Sequence, residues 1–157
     1  MPTPSPYFRT LNDFSVGQVI EHWPHKTVTE SDNNLFCLLT LNHHPLHSDK
    51  EYAKTQQHGR IVVAGPYVIS LVVGMSVADI SGASIANLEY EKIIHHAPVF
   101  VGDTISARSR VLEVKPSKSK PDRGVISVET EAYNQDGEKV LSLRRKVLLP
   151  QAFPNKK

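Results

Sequence analysis

The feature that most constrains the fold of this chain is an apolar segment at residues 66–80. Valine, isoleucine, leucine and methionine occupy nearly every side of a helix drawn through it, so the helix would have no polar face. Gly65 suits its N-cap, and Pro66 suits its first turn. Only 13 residues, 66–78, precede Asp79, and these are too few to cross roughly 30 Å of hydrocarbon. The segment therefore predicts a buried helix that other structure must enclose.

After residue 84 the apolar residues alternate with polar ones. This period of two predicts strands at 85–95, 104–114, 124–134 and 139–149. The dipeptides Gly102-Asp103 and Asp136-Gly137 favour tight turns, and the second of them predicts a hairpin between the last two strands. Before the apolar segment, the sequence predicts a short strand at 18–22 and a helix at about 30–39. A capping box formed by Thr29 and Asp32 marks the start of that helix.

The strand at 104–114 indicates how the sheet is placed. Ile105, Ala107 and Val111 share one face, and Arg108 and Arg110 share the other. This pattern is typical of a sheet with one face in water and one face covered. Only the 66–80 helix is apolar enough to cover it. The predicted fold class is therefore α+β, an antiparallel sheet curled around one central buried helix.

Length and charge limit the other possibilities. A chain of 157 residues predicts one domain, here at 11–150, with an irregular arm at 1–10 and a flexible tail at 151–157. A net charge of +2 is too small to indicate nucleic-acid binding. The single cysteine, Cys37, is interpreted as a small core residue in a reducing compartment, which predicts a cytoplasmic protein. Because the apolar run at 66–78 is too short to span a bilayer, no membrane association is expected.

The histidine-rich segment TLNHHPLHSD, residues 40–49, is a candidate for a metal site, a catalytic turn or a polar loop. Pro45 prevents a regular helical arrangement of ligands, and no second cluster has metal spacing, so no metal site is predicted. His43 and His44 are interpreted as structural. An imidazole has an ordinary pKa of about 6.5, so His47 suits proton transfer at neutral pH.

The same segment resembles the motif Gly-Asp-x-Asn-Pro-Leu-His of MaoC-like hydratases. The resemblance extends from about residue 11 to residue 149, through RIVVAGPYV at the helix entrance, PVFVGDTISARSRVLEV and the closing LRRKVLL. It implies the hotdog fold for the predicted domain. Within the family these segments are most similar to the mesaconyl-CoA (2-methylfumaryl-CoA) hydratase branch, whose substrates are short, branched acyl-CoA thioesters that carry a carboxylate.

The resemblance implies roles for particular residues. His47 takes the position of the catalytic histidine, and Asn42 takes the position of its usual aspartate partner. Because an amide cannot accept a proton, Asn42 is expected to orient the attacking water. At the helix entrance Gly65 is expected to donate its N–H to the thioester oxygen, with Tyr67 as a weaker second donor and Ala64 as a substrate contact.

Several basic residues are candidates for binding the anionic parts of an acyl-CoA. Lys118, Lys120 and Arg123 lie on one predicted loop, which is either a phosphate site or an ordinary solvated turn. Arg145 falls on the apolar face of the last strand, so it needs either an internal acid or the carboxylate of the substrate as its partner. Arg60, just before the helix entrance, is a similar candidate.

The sequence therefore predicts a hydro-lyase that reversibly hydrates an enoyl-CoA such as mesaconyl-CoA, without a metal or a redox cofactor. A homodimer is expected, with a larger assembly of dimers left open. A hotdog thioesterase and a non-catalytic acyl-CoA binding domain are the alternatives. A second acid or base is not assigned, with Asp49, Asp79 and Glu91 as candidates. The pair His95-His96 is interpreted as a solvated strand end.

Overall fold

The computed structural model describes residues 9–152. Most of the predicted arm and tail, at 1–8 and 153–157, therefore lies outside the described residues. The strands are β1 Val19–Glu21, β2 Lys26–Thr27, β3 Ala86–His95, β4 Thr104–Pro116, β5 Arg123–Tyr133 and β6 Lys139–Pro150. The helices are α1 Glu30–Thr40, α2 Lys50–Lys54 and α3 Gly65–Met75. The four long strands match the predicted ones to within two residues, whereas β2 and α2 were not predicted.

The strands form an antiparallel sheet in the order β1-β4-β5-β6-β3, and β2 pairs separately with β4. The predicted hairpin between β5 and β6 is present, and Gly137 in its turn has a φ of 76°. A positive φ of this size suits glycine because other residues would strain their Cβ atoms there. The long strand β3 forms one edge of the sheet, and the short strand β1 forms the other.

The helix α3 packs against the inner face of the sheet. Val68 and Val72 of α3 share one buried cluster with Ile105, Ala107 and Leu143. The predicted antiparallel sheet around a central helix is therefore confirmed. The helix differs in its ends, because Ala64 is the N-cap in place of Gly65 and the α-helix stops at Met75.

The segment Val77–Ser81 continues α3 as one wider, π-helical turn. This turn brings Asp79 into the interior, at 3% exposure. Nδ1 of His22 lies 2.8 Å from Oδ2 of Asp79, and Nε2 of His22 lies 2.7 Å from Oγ of Ser109. The Ser109 hydroxyl is in turn 2.7 Å from Oγ1 of Thr130. These hydrogen-bonded polar side chains, which we call the polar layer, cross the buried face. They divide the apolar core into two clusters.

Arg145 belongs to this polar layer and is 1% exposed. Its Nη2 donates to Oγ of Ser76 at 2.8 Å, and its Nη1 donates to Oδ1 of Asn87 at 3.3 Å. Within residues 9–152 no carboxylate lies within ion-pair distance of it, so of the two partners left open by the sequence the internal acid is not found. Burial lowers the pKa of Arg145, and its interaction with Tyr90 opposes that shift in part. Hydroxyl and amide oxygens, which cost less to bury than a carboxylate, take the place of the expected acid.

The buried His22 makes the stability of the fold depend on pH. Burial lowers the pKa of His22 below the ordinary value of 6.5, and the contact with Asp79 opposes that shift only in part. As the pH falls below 6.5, the unfolded chain takes up a proton that the folded chain does not. The free energy of unfolding should then decrease by at most about 1.4 kcal/mol per pH unit for this one group.

Urea denaturation between pH 7.5 and 5 measures this effect. We expect His22→Gln to flatten the dependence, because the amide has no proton to gain in this range. Comparison with the unsubstituted protein cancels the contribution of His95, whose pKa is also lowered. If the free energy of unfolding changed equally with pH in the two proteins, the assignment of this effect to His22 would be contradicted.

Candidate active site

The candidate base is His47, at the end of a single 3₁₀ turn, Pro45–His47. Nδ1 of His44 accepts a hydrogen bond from the Leu46 N–H at 3.1 Å and so caps the turn, which fits the structural role predicted for His44. Nδ1 of His47 lies 2.7 Å from the carbonyl oxygen of Val62. A carbonyl can only accept, so this ring nitrogen must carry the proton. The lone pair of a neutral His47 is therefore on Nε2, which has no hydrogen-bond partner within residues 9–152.

The first turn of α3 has one free donor. The Ala64 N–H donates to Oδ1 of Asn33 at 3.0 Å, and the Tyr67 N–H donates to the Ala64 carbonyl at 3.0 Å. Pro66 has no N–H. Among the described residues, only the Gly65 N–H of this turn is left without an acceptor. The structure thus removes Tyr67 as a backbone donor and leaves Ala64 fully buried, so neither is available to a substrate in the way predicted.

His47 and Gly65 line one cleft, which we call the histidine cleft, with a volume of about 330 Å³. Its other lining residues are His58, Val62, Val63, Val68, His95, His96, Ala97, Pro98 and Val99. No carboxylate of residues 9–152 is among them. The structure therefore places two residues in the lining of the same cavity, His47 with a free Nε2 and Gly65 with a free helix N–H. An unpaired N–H at the start of a helix favours a developing negative charge.

Asn33 holds these two groups together and was not identified from the sequence. Its side chain is completely buried. The amide nitrogen donates to the carbonyl oxygen of His47 at 2.8 Å, and the amide oxygen accepts from the Ala64 N–H. One planar amide therefore sets the distance between the histidine turn and the start of α3. The only sequence signal was a polar residue on the inner face of α1, one turn before Cys37.

Asn42 does not lie in the histidine cleft. The helix α1 ends with Leu41 in a left-handed conformation, at a φ of 58°, and the Asn42 N–H then donates to the Cys37 carbonyl at 3.0 Å. This turn places Asn42 along a separate cavity, with His43 and Ser48. The expectation that Asn42 orients a water beside His47 is therefore not met within one chain. The Asn42 backbone N–H helps to end the helix, whereas the left-handed conformation that terminates it is that of Leu41.

A second cavity, which we call the cationic pocket, adjoins the histidine cleft at His47. It has a volume of about 300 Å³, and its lining includes Lys50, Lys54 and Arg60. The guanidinium carbon of Arg60 lies 3.5 Å from the centre of the Phe100 ring. Nζ of Lys50 lies 3.1 Å from a carboxylate oxygen of Glu30, which also lines the pocket. Nζ of Lys54 lies 2.6 Å from a carboxylate oxygen of Glu51. His47 is thus flanked by the histidine cleft on one side. On the other side is a pocket where both lysines are paired with glutamates and Arg60 stacks on Phe100.

The predicted phosphate-binding loop lies elsewhere. Lys118, Lys120 and Arg123 follow β4 at its Pro116 end, whereas the histidine cleft is at the Thr104 end, and β4 spans roughly 40 Å. Arg123 also forms an ion pair with its neighbour Asp122, at 2.8 Å. Within one chain this loop cannot border the cleft, and the interpretation as a solvated turn applies. Arg145 lines neither cavity next to His47, so it is not available to a substrate.

None of the three candidate carboxylates lines the histidine cleft. Asp49 caps α2 by accepting from the N–H groups of Glu51 and Tyr52, and Asp79 contacts His22 in the polar layer. Glu91 lies on β3 opposite Arg144.

Residues 9–152 contain no group of three or more potential ligands that could hold a metal ion. No helix among them is long and apolar enough to cross a membrane.

The curled sheet, the buried helix and a histidine turn at the helix N-terminus together define a protein of the hotdog class. A sequence model of the MaoC like domain family matches residues 12–134, and the chain belongs to this family. Its fold is similar to a putative MaoC domain protein dehydratase from Chloroflexus aurantiacus, with a TM-score of 0.90, 32% identity, and coverage of 99% of this chain and 44% of that one.

Two further likenesses complete the comparison. The chain is 36% identical over 141 residues to a mesaconyl-CoA hydratase from Cereibacter sphaeroides, covering 90% of this chain and 41% of the relative. A Mycobacterium tuberculosis protein with a double hotdog fold matches at a TM-score of 0.83 and 23% identity, covering 98% of this chain and 46% of that one, which supports the fold alone. The chain spans about two fifths of the length of this mesaconyl-CoA hydratase and of two similar relatives, a mesaconyl-CoA hydratase from Haloarcula marismortui and a beta-methylmalyl-CoA dehydratase from Chloroflexus aurantiacus.

Proposed function

We propose that this protein reversibly hydrates an α,β-unsaturated acyl-CoA thioester, with a short branched or dicarboxylyl chain such as mesaconyl-CoA. The observation that carries the proposal is the free Nε2 of His47 in the same cleft as the free Gly65 N–H. The similarity to a mesaconyl-CoA hydratase supports the choice of substrate. Addition of water changes no net oxidation state, so the proposed reaction requires no redox cofactor.

The proposed mechanism uses one imidazole twice. Nε2 of His47 takes a proton from water as the water oxygen bonds to Cβ, and the electron pair of the double bond moves towards the thioester oxygen. The Gly65 N–H and the positive end of α3 stabilise the resulting enolate. The imidazolium then returns a proton to Cα, which restores the carbonyl and neutral His47. The hydrogen bond from Nδ1 of His47 to the Val62 carbonyl keeps the ring in the Nδ1–H tautomer. These reaction steps need that tautomer because it leaves Nε2 free to accept the proton.

The cationic pocket is proposed to bind the anionic groups of the substrate. Arg60 offers a planar guanidinium suited to a carboxylate or a phosphate, and Lys50 and Lys54 add charge beside it. The phosphate groups of the acyl-CoA are therefore proposed to bind in this pocket and not at the 115–123 loop. The position of the pocket next to His47 is consistent with a substrate that is apolar at its reacting end and anionic nearby.

A homodimer is proposed because β3 leaves an open edge. Its residues are exposed along nearly the whole strand, and they include the apolar side chains of Leu88, Tyr90, Ile93 and Ile94, which are 40–53% exposed. An unpaired edge of this length favours pairing with a second strand, and an identical strand related by a two-fold axis satisfies both chains. Sedimentation equilibrium tests the proposal, and a monomer at all concentrations would contradict it.

A cytoplasmic location is proposed from the free, buried Cys37.

The activity is tested by incubating the protein with a panel of unsaturated CoA esters, including crotonyl-CoA, mesaconyl-CoA and a long straight-chain ester. We expect the absorbance of the conjugated double bond to fall and the product to gain the mass of one water. Release of free CoA in place of hydration would indicate a thioesterase, which the lack of a carboxylate in the cleft among residues 9–152 disfavours. Tight binding without turnover would indicate a non-catalytic binding domain and would contradict the proposal.

A further inference from the structure

The imidazole of His95 lies directly against Gly65. A Cβ atom built on Gly65 would be 3.1 Å from Nε2 and 3.2 Å from Cε1 of His95. These distances are tighter than ordinary carbon contacts, so a Cβ atom at position 65 would require the ring to shift by a few tenths of an ångström. The lack of a side chain at Gly65 therefore lets His95, at the end of β3, reach the start of α3.

The other histidines of the cleft have different surroundings. His47 is tied to Val62, and Nε2 of His96 lies 2.8 Å from Oγ of Ser142. His58 packs edge-on against Phe100, with 5.7 Å between the ring centres. The imidazole of His95 makes no hydrogen bond within residues 9–152, although His95 pairs with Leu141 in the β3–β6 ladder. It is thus the imidazole against Gly65 whose ring nitrogens are free to contact a ligand.

The charge state of His95 suits a hydrogen-bond donor. Burial lowers its pKa, and the neighbouring His96 lowers it further. The titratable groups that line the cleft are His47, His58 and His96, and none of them is an acid that would favour the imidazolium. The positive end of α3 also disfavours a cation at this place. A neutral imidazole keeps one N–H to donate.

We infer that His95 is a further catalytic residue, whose Nε2–H donates to the thioester oxygen alongside the Gly65 N–H. The inference rests on the proposed hydration. In the reaction the electron pair of the double bond moves onto an oxygen held by two donors, and it returns when Cα takes its proton from His47. His95 keeps its own proton throughout. Two donors aimed at one oxygen stabilise an enolate more than the neutral thioester, because the charge develops there.

The first test compares His95→Ala with His95→Gln, whose side-chain amide can still donate. We expect His95→Ala to lower kcat for hydration by about 10²- to 10³-fold, as for loss of one oxyanion donor, and His95→Gln to remain within about tenfold of the unsubstituted protein. The Kd for a saturated acyl-CoA should change little in both. His25→Gln, at an exposed histidine that packs on Trp23 outside the cleft, is the control. A kcat for His95→Ala within threefold of the unsubstituted protein would overturn the inference.

The second test uses Gly65→Ala, which keeps the backbone N–H but displaces the ring. We expect Gly65→Ala to lower kcat when His95 is present and to lower it little further in the His95→Ala background, because the Cβ then has no ring to shift. Losses that add on a logarithmic scale would show that the two positions act independently, and would overturn the inference.

A third measurement does not depend on turnover. A saturated acyl-CoA labelled with ¹³C at its thioester carbonyl should show a lower carbonyl stretching frequency when bound, and part of this shift should disappear in His95→Ala. If the unsubstituted protein hydrates no enoyl-CoA, the proposed function fails, but this measurement still tests the donor. Equal frequencies in the two proteins would exclude a hydrogen bond from His95.

Discussion

The His47→Ala variant is expected to hydrate an enoyl-CoA about 10²- to 10⁴-fold more slowly than the unsubstituted protein, the usual contribution of one general acid–base group. The physical reason is that Nε2 of His47 is the base for water and also the carrier of the proton to Cα. No other imidazole in the cleft has its Nδ1 held by a carbonyl among the described residues. Initial rates with saturating substrate measure kcat, and calorimetry with a saturated acyl-CoA measures binding.

The binding measurement separates the possible outcomes. We expect the Kd of the saturated acyl-CoA to stay within about threefold, because removal of one side chain leaves the cationic pocket and the helix N-terminus in place. His25→Ala removes an exposed imidazole away from the cleft and should change neither quantity. A kcat within tenfold of normal in His47→Ala would show that another group removes the proton from water.

The Asn33→Ala variant is expected to lose both activity and stability. It leaves the His47 carbonyl and the buried Ala64 N–H without partners, which should lower the free energy of unfolding by about 2 to 4 kcal/mol. The histidine turn and the start of α3 then lose their shared link. A displacement of about 1 Å between two reacting groups can lower kcat about 10²-fold. Urea denaturation and kcat per folded molecule measure the two effects.

A control must show that the loss of activity does not follow from the loss of stability. Val128 is completely buried in the other core cluster, so Val128→Ala should reduce stability while leaving kcat unchanged. Asn33→Asp keeps an acceptor for the Ala64 N–H but loses the donor to His47. We expect it to show a lower kcat as well. Normal kcat in both Asn33 variants, measured on folded protein, would show that Asn33 has a structural role only.

The sequence predicts most of the fold because its signals are local and periodic. Alternation in β4, with Ile105 and Ala107 inside and Arg108 outside, follows directly from strand geometry. The uniformly apolar segment at 66–80 required a cover, and the sheet provides it. The end of α3 at Met75 and the π-helical turn after it were not predicted, because they depend on how Asp79 meets His22 across 57 positions of sequence.

The candidate site is only partly predictable, because some of its residues lie on local motifs and others depend on contacts between distant parts of the sequence. His47 and Gly65 lie on motifs, and the structure brings both to one cleft. Asn33 and His95 each contact residues of the site that are distant in sequence, so no local pattern identifies them. The 115–123 loop was assigned by its charge, but charge does not tell at which end of a strand a loop will lie.

The polar layer inside the core also bears on how the strands find their alignment. Inner side chains recur every two residues, so β5 displaced by two positions along β4 would still present apolar residues to α3. Such a displacement would move Thr130 from Ser109 to face Ala107 or Val111. Each hydroxyl stranded among methyl groups would cost about 1 to 3 kcal/mol. The buried hydroxyls thus make the observed strand register more stable than registers displaced by two residues.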